Sequence, residues 1–237
     1  MEYSDWNYSR GAEESYSEYA YRVLRDGIMK YKLAPGAPII EAEIADVLRV
    51  SRTPVHEALA RLRDEKLVDI QPRKESRVSK IDLVLVNDGI FIRHCVESEL
   101  IETIQGNVAA PIMRRMLSNI NRQRQILLEG NQFNEFNDVD DEFHMLLYLA
   151  ANRAYAYQQV HKIVAHFDRV RQLARMVADF TEIDARSYDE HREIFNAIAY
   201  RAPLSMDAHA IVRRHISRLQ IYMDKILELH ADYFESL

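Results

Sequence analysis

Residues 50–68 read VSRTPVHEALARLRDEKLV, and the order of residue types here decides how the first eighty residues fold. Ser51 precedes an apolar-periodic run and can cap a helix, while Pro54 falls in the first turn, where its missing amide costs no intrahelical bond. Val55, Leu59 and Leu62 recur at i, i+4 and i+7, the buried face of a helix. Arg52, Thr53, His56 and Ala60 point the other way. Upstream, LAPGAP (33–38) must end a first helix expected over roughly Ser17 to Tyr31, because two prolines and a glycine cannot continue the ladder. Between them Ile40 to Leu48 is short and amphipathic through Ile40, Ile44, Val47 and Leu48. Downstream, VDIQPRKESRVSKI (68–81) reads as two short strands around a basic turn. Helix, break, helix, three-residue turn, helix and hairpin is the element order of a winged helix-turn-helix.

The rest of the chain sets the context. Its 237 residues are 48% apolar and 29% charged, with six Gly and six Pro, which suits a mostly helical protein of a small domain joined to a larger one. A single Cys95 excludes an internal disulfide or a multi-cysteine zinc ribbon and fits a reducing cytoplasm. The opening MEYSDWNYSRGAEESYSEY is acidic and polar, unlike a signal peptide, and no apolar run approaches the length of a membrane span. Residues 1–16 read as a loose arm. The net charge of −6 is uneven: residues 49–80 carry nine basic against five acidic side chains, whereas residues 1–48 carry five against nine and residues 81–237 seventeen against twenty-three. A basic island in an acidic chain marks either phosphate contact or a solvated face. In the first case Arg52, Thr53 and His56 would reach base edges or phosphates from the start of the helix, and Arg73, Lys74 and Arg77 would clamp the backbone from the wing.

From Asp82 onward the pattern is helical, with helices expected near Asp82–Asn107, Pro111–Glu129, Asn131–Ala151, Ala154–Phe180, Ile183–Tyr200 and Leu204–Phe234. In the fourth, Val160, Ile163, Phe167, Val170, Ala174 and Val177 alternate spacings of three and four, a seam that serves a bundle core or a dimer. Asp140 and His144 stand at i and i+4 on an apolar face; His191 falls in the row of Ile194 and Ile198, and His215 in that of Val212 and Leu219. One inward histidine is commonly a hydrogen-bonded core residue, but three from different helices with a carboxylate point to a divalent metal. Imidazole-rich ligation favours Zn, with Ni, Mn or Fe as alternatives. Arg93 and Glu97 also occupy inner positions, either bridging one another or, for Arg93, gripping an anionic ligand.

The segment LAPGAPIIEAEIADVLRVSRTPVHEALARLRDEKLVDIQPRKESRVSKI resembles the DNA-binding domain of GntR-family transcription regulators. Three departures stand out: His56 replaces the usual Arg, Lys66 stands where Gly ends the recognition helix, and Glu75 takes the wing-tip Gly position. The helices beyond resemble the FCD-type effector domain of the FadR-like branch, through Arg93-His-Cys-Val-Glu97, Asp140-Asp-Glu-Phe-His144 to Asn152, Glu190-His191 to Ile198, and His215. The resemblance implies Asp140, His144, His191 and His215 as metal ligands and a small organic acid as effector; Arg93 and Glu97 are expected to bind that acid, and a homodimer is expected to read an inverted repeat of double-stranded DNA.

The expected fold class is therefore mainly α: an arm at 1–16, a winged helix-turn-helix at 17–80 and an all-helical effector and dimerisation domain at 81–237. The expected function is a cytoplasmic, metal- and acid-responsive transcription regulator, a repressor released by its effector, and not an enzyme. The rival is a metal-dependent hydrolase with Glu190 as base; a further alternative is an architectural DNA binder without effector.

Overall fold

The computed structural model describes residues 6, 8–70, 75–104, 107–130, 133–177 and 180–236, and divides into two compact units, residues 1–83 with 230–237 and residues 84–229.

The first unit contains α1 (Tyr16–Met29), β1 (Pro38–Ile39), α2 (Glu41–Leu48), α3 (Arg52–Asp64), β2 (Val68–Asp69) and β3 (Ser76–Val78). The strands form one antiparallel sheet in the order β1-β3-β2, with Val68 opposite Val78 and Pro38 opposite Arg77. The β1 strand goes beyond the expected hairpin, because LAPGAP ends in extended backbone at Pro38 and pairs with β3. As the spacing predicts, Val55, Leu59 and Leu62 are fully buried, packed with Val23, Leu24, Ile28, Ile44 and Leu67. Ser51 has extended N-cap backbone, but its side chain makes no capping bond. At the other end of α3 the chain turns through Lys66 at φ 61, which presents the Leu67 amide to the Leu62 carbonyl at 2.9 Å. This left-handed position is where glycine is cheapest, and an L-side chain costs roughly 1 kcal/mol there.

Both ends of the chain close this unit. Within the expected loose arm, Tyr8 bonds Asp26, Tyr19 Oη donates to the Tyr8 carbonyl at 2.9 Å, and Ser15 and Glu18 form a capping box that starts α1. Trp6 lies over Gly27, whose missing side chain leaves the indole room. At the C-terminus, Phe234 is buried and bridges Ile81 in parallel: the Ile81 amide donates to the Tyr233 carbonyl at 2.8 Å, and the Glu235 amide to the Ile81 carbonyl at 3.0 Å. Tyr233 stacks on Tyr31. The expected long last helix is thus broken: α10 (Ala208–Ser217) gives way to a 3-10 stretch at Arg218–Tyr222, then α11 (Met223–His230) and the 3-10 turn Ala231–Tyr233.

The second unit is built from α4 (Leu83–Ile104), α5 (Ala110–Glu129), α6 (Phe133–Ala150), α7 (Ala154–Ile163), α8 (Ala165–Val177), α9 (Phe180–Tyr200), α10 and α11. The expected single helix over 154–180 is two helices broken at Val164. At this junction the chain passes so close to α4 that a Cβ on Gly89 would meet Phe167 Cβ at 2.9 Å. Of the seam, Val160, Phe167, Val170 and Ala174 are buried, whereas Ile163 is exposed beside the break. No helix among the described residues is long and apolar enough to cross a membrane.

Lys66→Gly should raise the unfolding free energy of the first unit by about 1 kcal/mol. Urea unfolding followed by far-UV circular dichroism measures it, and an unchanged midpoint would show that the turn carries no strain.

Candidate metal centre and nucleic-acid interface

Asp140 and His144 of α6, His191 of α9 and His215 of α10 offer ligand atoms that all lie within 4.8 Å of one another. Helical periodicity brings them there. Asp140 and His144 are one turn apart on the face that buries Phe136, Phe143 and Leu147, and His191 and His215 follow the buried rows of α9 and α10.

The ring orientations are set from outside the cluster. Asn119 donates to the Val139 carbonyl at 2.9 Å and accepts from Gln123 Nε2 at 2.7 Å, so Gln123 Oε1 is left to accept from His191 Nδ1 at 3.0 Å. That network assigns the proton to Nδ1 and leaves the His191 Nε2 lone pair pointing inward, buried and without a hydrogen-bond partner. His215 Nδ1 donates to Glu190 Oε2 at 2.9 Å, again turning Nε2 inward. His144 Nδ1 stands 3.0 Å from Glu97 Oε2, off the line of an ideal hydrogen bond, while its Nε2 is 3.2 Å from His215 Nε2. Both ring nitrogens of His144 therefore face lone pairs, an arrangement that positive charge at the centre resolves. Asp140 Oδ1, also buried without a hydrogen-bond partner, lies 3.9 Å from His191 Nε2. Convergent lone pairs with anionic or amide partners behind the rings are what a divalent ion asks of its ligands.

Arginines ring this centre. Arg171 bonds Asp140 and Asp141, and Arg175 holds Asp184 at 2.7 Å with Asp140 3.7 Å away. Arg93 bonds Glu97 at 2.7 Å, and Arg218 bonds Glu190 at 2.6 Å. Burial alone would raise the Asp140 pKa, but Arg171 and Arg175 pull it well below the carboxylate range. Glu190 is likewise opposed by burial and brought down to about 2 by His215 and Arg218. Burial pushes His191 well below its ordinary value, with His215 adding to the shift, and burial also lowers His215, so both rings favour the neutral, ligating form. Arg93, Arg171, Arg175, Arg218, Asp140 and His215 line one cavity of about 40 Å³. Arg175 is 2% exposed, and its Nη1 has no hydrogen-bond partner.

On the first unit, Arg52, Thr53 and His56 are exposed on α3, opposite its buried face. His56 Nδ1 is 3.1 Å from Glu41. Arg77 is exposed, donates to the Gly36 carbonyl and pairs with Glu75 at 3.0 Å. Arg73 and Lys74 lie outside the described residues.

Residues 16–78 match the family described as bacterial regulatory proteins, gntR family, and residues 88–218 match the FCD domain. The chain belongs to the GntR family, with an FCD domain. Among its relatives, the HTH-type transcriptional repressor RspR of Escherichia coli strain K12 is 30% identical over 221 residues, covering 92% of this chain and 93% of that protein. The Nta operon transcriptional regulator of Aminobacter aminovorans is 28% identical, covering 85% and 90%. In fold, the chain matches E. coli McbR/YncC with a TM-score of 0.71 at 16% identity, over 91% of this chain and 99% of that one. A structural-genomics chain from Rhodococcus sp. RHA1 matches with a TM-score of 0.66 at 19% identity, over 90% and 98%. This GntR protein is a DNA-binding transcription regulator and not an enzyme.

The hydrolase reading finds no support in these relatives, and the geometry gives a reason: Glu190 is committed to His215, Arg214 and Arg218 and is not free to act as a base. Glu97 faces His144 as well as Arg93. Reading the sequence missed Gln123, Arg171, Arg175 and Arg218. Arg171 and Arg175 did carry a signal, two cations one turn apart on the helix whose apolar seam was expected to pack in a bundle core or a dimer.

His191 and His215 titrate in the folded chain below their ordinary value of 6.5, so the unfolded chain takes up protons first as pH falls. Stability of the metal-free protein should therefore be full above about pH 6.5 and decline as pH falls below it. A melting temperature in chelator that stays flat as pH falls below that value would contradict these environments.

Proposed function

We propose that this regulator is a cytoplasmic homodimeric repressor that binds an inverted-repeat operator and is released by a small organic acid held against a divalent metal. The observation that carries the reading is the clustered set Asp140, His144, His191 and His215, the first three buried, with Asp140 Oδ1 and His191 Nε2 lacking hydrogen-bond partners at its centre, beside a cavity walled by four arginines. These residues would hold the ion, Zn first by donor set with Ni, Mn or Fe as alternatives, and the ion would supply a Lewis-acid anchor for a carboxylate. Arg93 would grip the same acid through its guanidinium. Glu97 would position both Arg93 and His144, Gln123 would position His191, and Glu190 would position His215.

On the DNA side, Arg52, Thr53 and His56 would enter the major groove, and Arg73, Lys74 and Arg77 would lie along phosphates. The E. coli relative is named a transcriptional repressor, which supports repression as the output. Release by an effector requires that the acid bind the DNA-competent state less tightly than the other state. Twofold symmetry of the dimer would be mirrored in the operator.

Fluorescence anisotropy on DNA flanking the gene, with and without metal and a panel of organic acids, tests the whole reading. Arg52→Ala should weaken specific binding by about 1–3 kcal/mol and nonspecific binding far less. Equal loss on both DNAs would remove Arg52 from base readout. Glu190→Gln should lower metal affinity about ten- to hundredfold, by competition with a chromogenic chelator, while the protein stays folded. Unchanged affinity would sever Glu190 from the metal.

A further inference from the structure

On the exposed face of α3, His56 lies one turn beyond Arg52, with the small Ala60 one turn further on. The ring stands in solvent, its side chain 67% exposed, yet it has a fixed neighbour. Its Nδ1 is 3.1 Å from Oε1 of Glu41. Glu41 belongs to the first turn of α2, where the helix dipole favours a negative charge.

This pairing decides what the ring can offer to DNA. An ionised carboxylate only accepts hydrogen bonds, so a neutral His56 carries its proton on Nδ1 and its lone pair on Nε2. The far edge of the ring is then an acceptor. Arginine, the residue of the GntR pattern at this position, has donors alone. The difference matters in the major groove, where adenine N6 and cytosine N4 are donors whereas guanine O6 and thymine O4 are acceptors. Arginine takes a keto base, guanine above all; an imidazole held as an acceptor takes an amino base. A carboxylate beside a polyanion weakens binding to every sequence alike, so Glu41 costs affinity and gains a function only through the ring that it orients.

We propose that Glu41 and His56 work as one unit that makes this position of the reading helix an acceptor, so that the regulator selects adenine or cytosine at the operator position His56 faces. This rests on the DNA-reading role of α3 above and specifies the base class that one of its residues takes. Glu41 is a positioning residue, acting through the imidazole.

The test is selection from a duplex library of random sequence by the full-length chain, at about pH 8, where an imidazole is neutral. Sequencing of the bound fraction should show one position per half-site enriched about fivefold or more for adenine and cytosine over guanine and thymine. His56→Arg should reverse that split in favour of guanine and leave the other positions as they were. Glu41→Ala frees the ring to carry its proton on either nitrogen, and should flatten the split while tightening binding to all sequences. A motif in which no position responds to His56→Arg would overturn the assignment and spare α3 as the reading helix. Preference for guanine or thymine at the responding position would overturn it as well, by showing a donor at Nε2. A split that survives in Glu41→Ala would dissolve the unit. No enriched sequence from the unmodified protein would overturn both this assignment and the DNA reading beneath it. Circular dichroism checks that each variant is folded, and His56→Ala, which should erase the split, stands in if the arginine variant is not.

Discussion

Asp140 is 1% exposed at the middle of a helical unit, and an ionised carboxylate in that position costs several kcal/mol unless opposite charge surrounds it. The arrangement of the unit follows from this constraint. Arg171 and Arg175 come to it from α8, His144 from its own helix, and His191 from α9. Each of the arginines then needs a further anion, supplied by Asp141, Asp168 and Asp184. Among the described residues, several buried atoms without a hydrogen-bond partner stand around this centre, Asp140 Oδ1, His191 Nε2, His144 Nδ1 and Arg175 Nη1, while others, such as Tyr148 Oη, Asn137 Oδ1 and His94 Nε2, do not belong to it. In a packed interior, exceptions that cluster are the mark of a ligand site and not of poor satisfaction.

The first unit solves a different problem. It has to present cations to a polyanion while belonging to an acidic chain. It does so by burying one face of α3 and leaving the opposite face, with Arg52, Thr53 and His56, in solvent. Local carboxylates temper this surface, Glu41 beside His56 and Glu75 beside Arg77. The last residues of the chain complete the unit through the Ile81–Phe234 bridge, so its stability depends on both ends of the sequence.

Some of this was legible in the residues. Val55, Leu59 and Leu62 mark their buried face through local periodicity, which depends only on the geometry of one helix. The same argument placed Asp140, His144, His191 and His215 on inward rows, and the rows do converge. It failed where backbone path depends on packing: the break at Val164 over Gly89, the 3-10 stretch after α10, and the return of Phe234 to Ile81. It failed also for Gln123 and Arg218, since which uncharged or surface-like residue stands behind a histidine depends on the neighbouring helix.

Sequence alone therefore determined the family, the mainly helical class, the reading-head motif and the inward rows, because each is written in spacing along a single element or in a contiguous motif. Tertiary structure decided which nitrogens face the centre, which carboxylates are already spent on arginines, and where Tyr148 is left unsatisfied. Those are outcomes of several helices packing at once, and a hydrogen bond between residues 68 positions apart, as between Gln123 and His191, leaves no periodic trace in either segment.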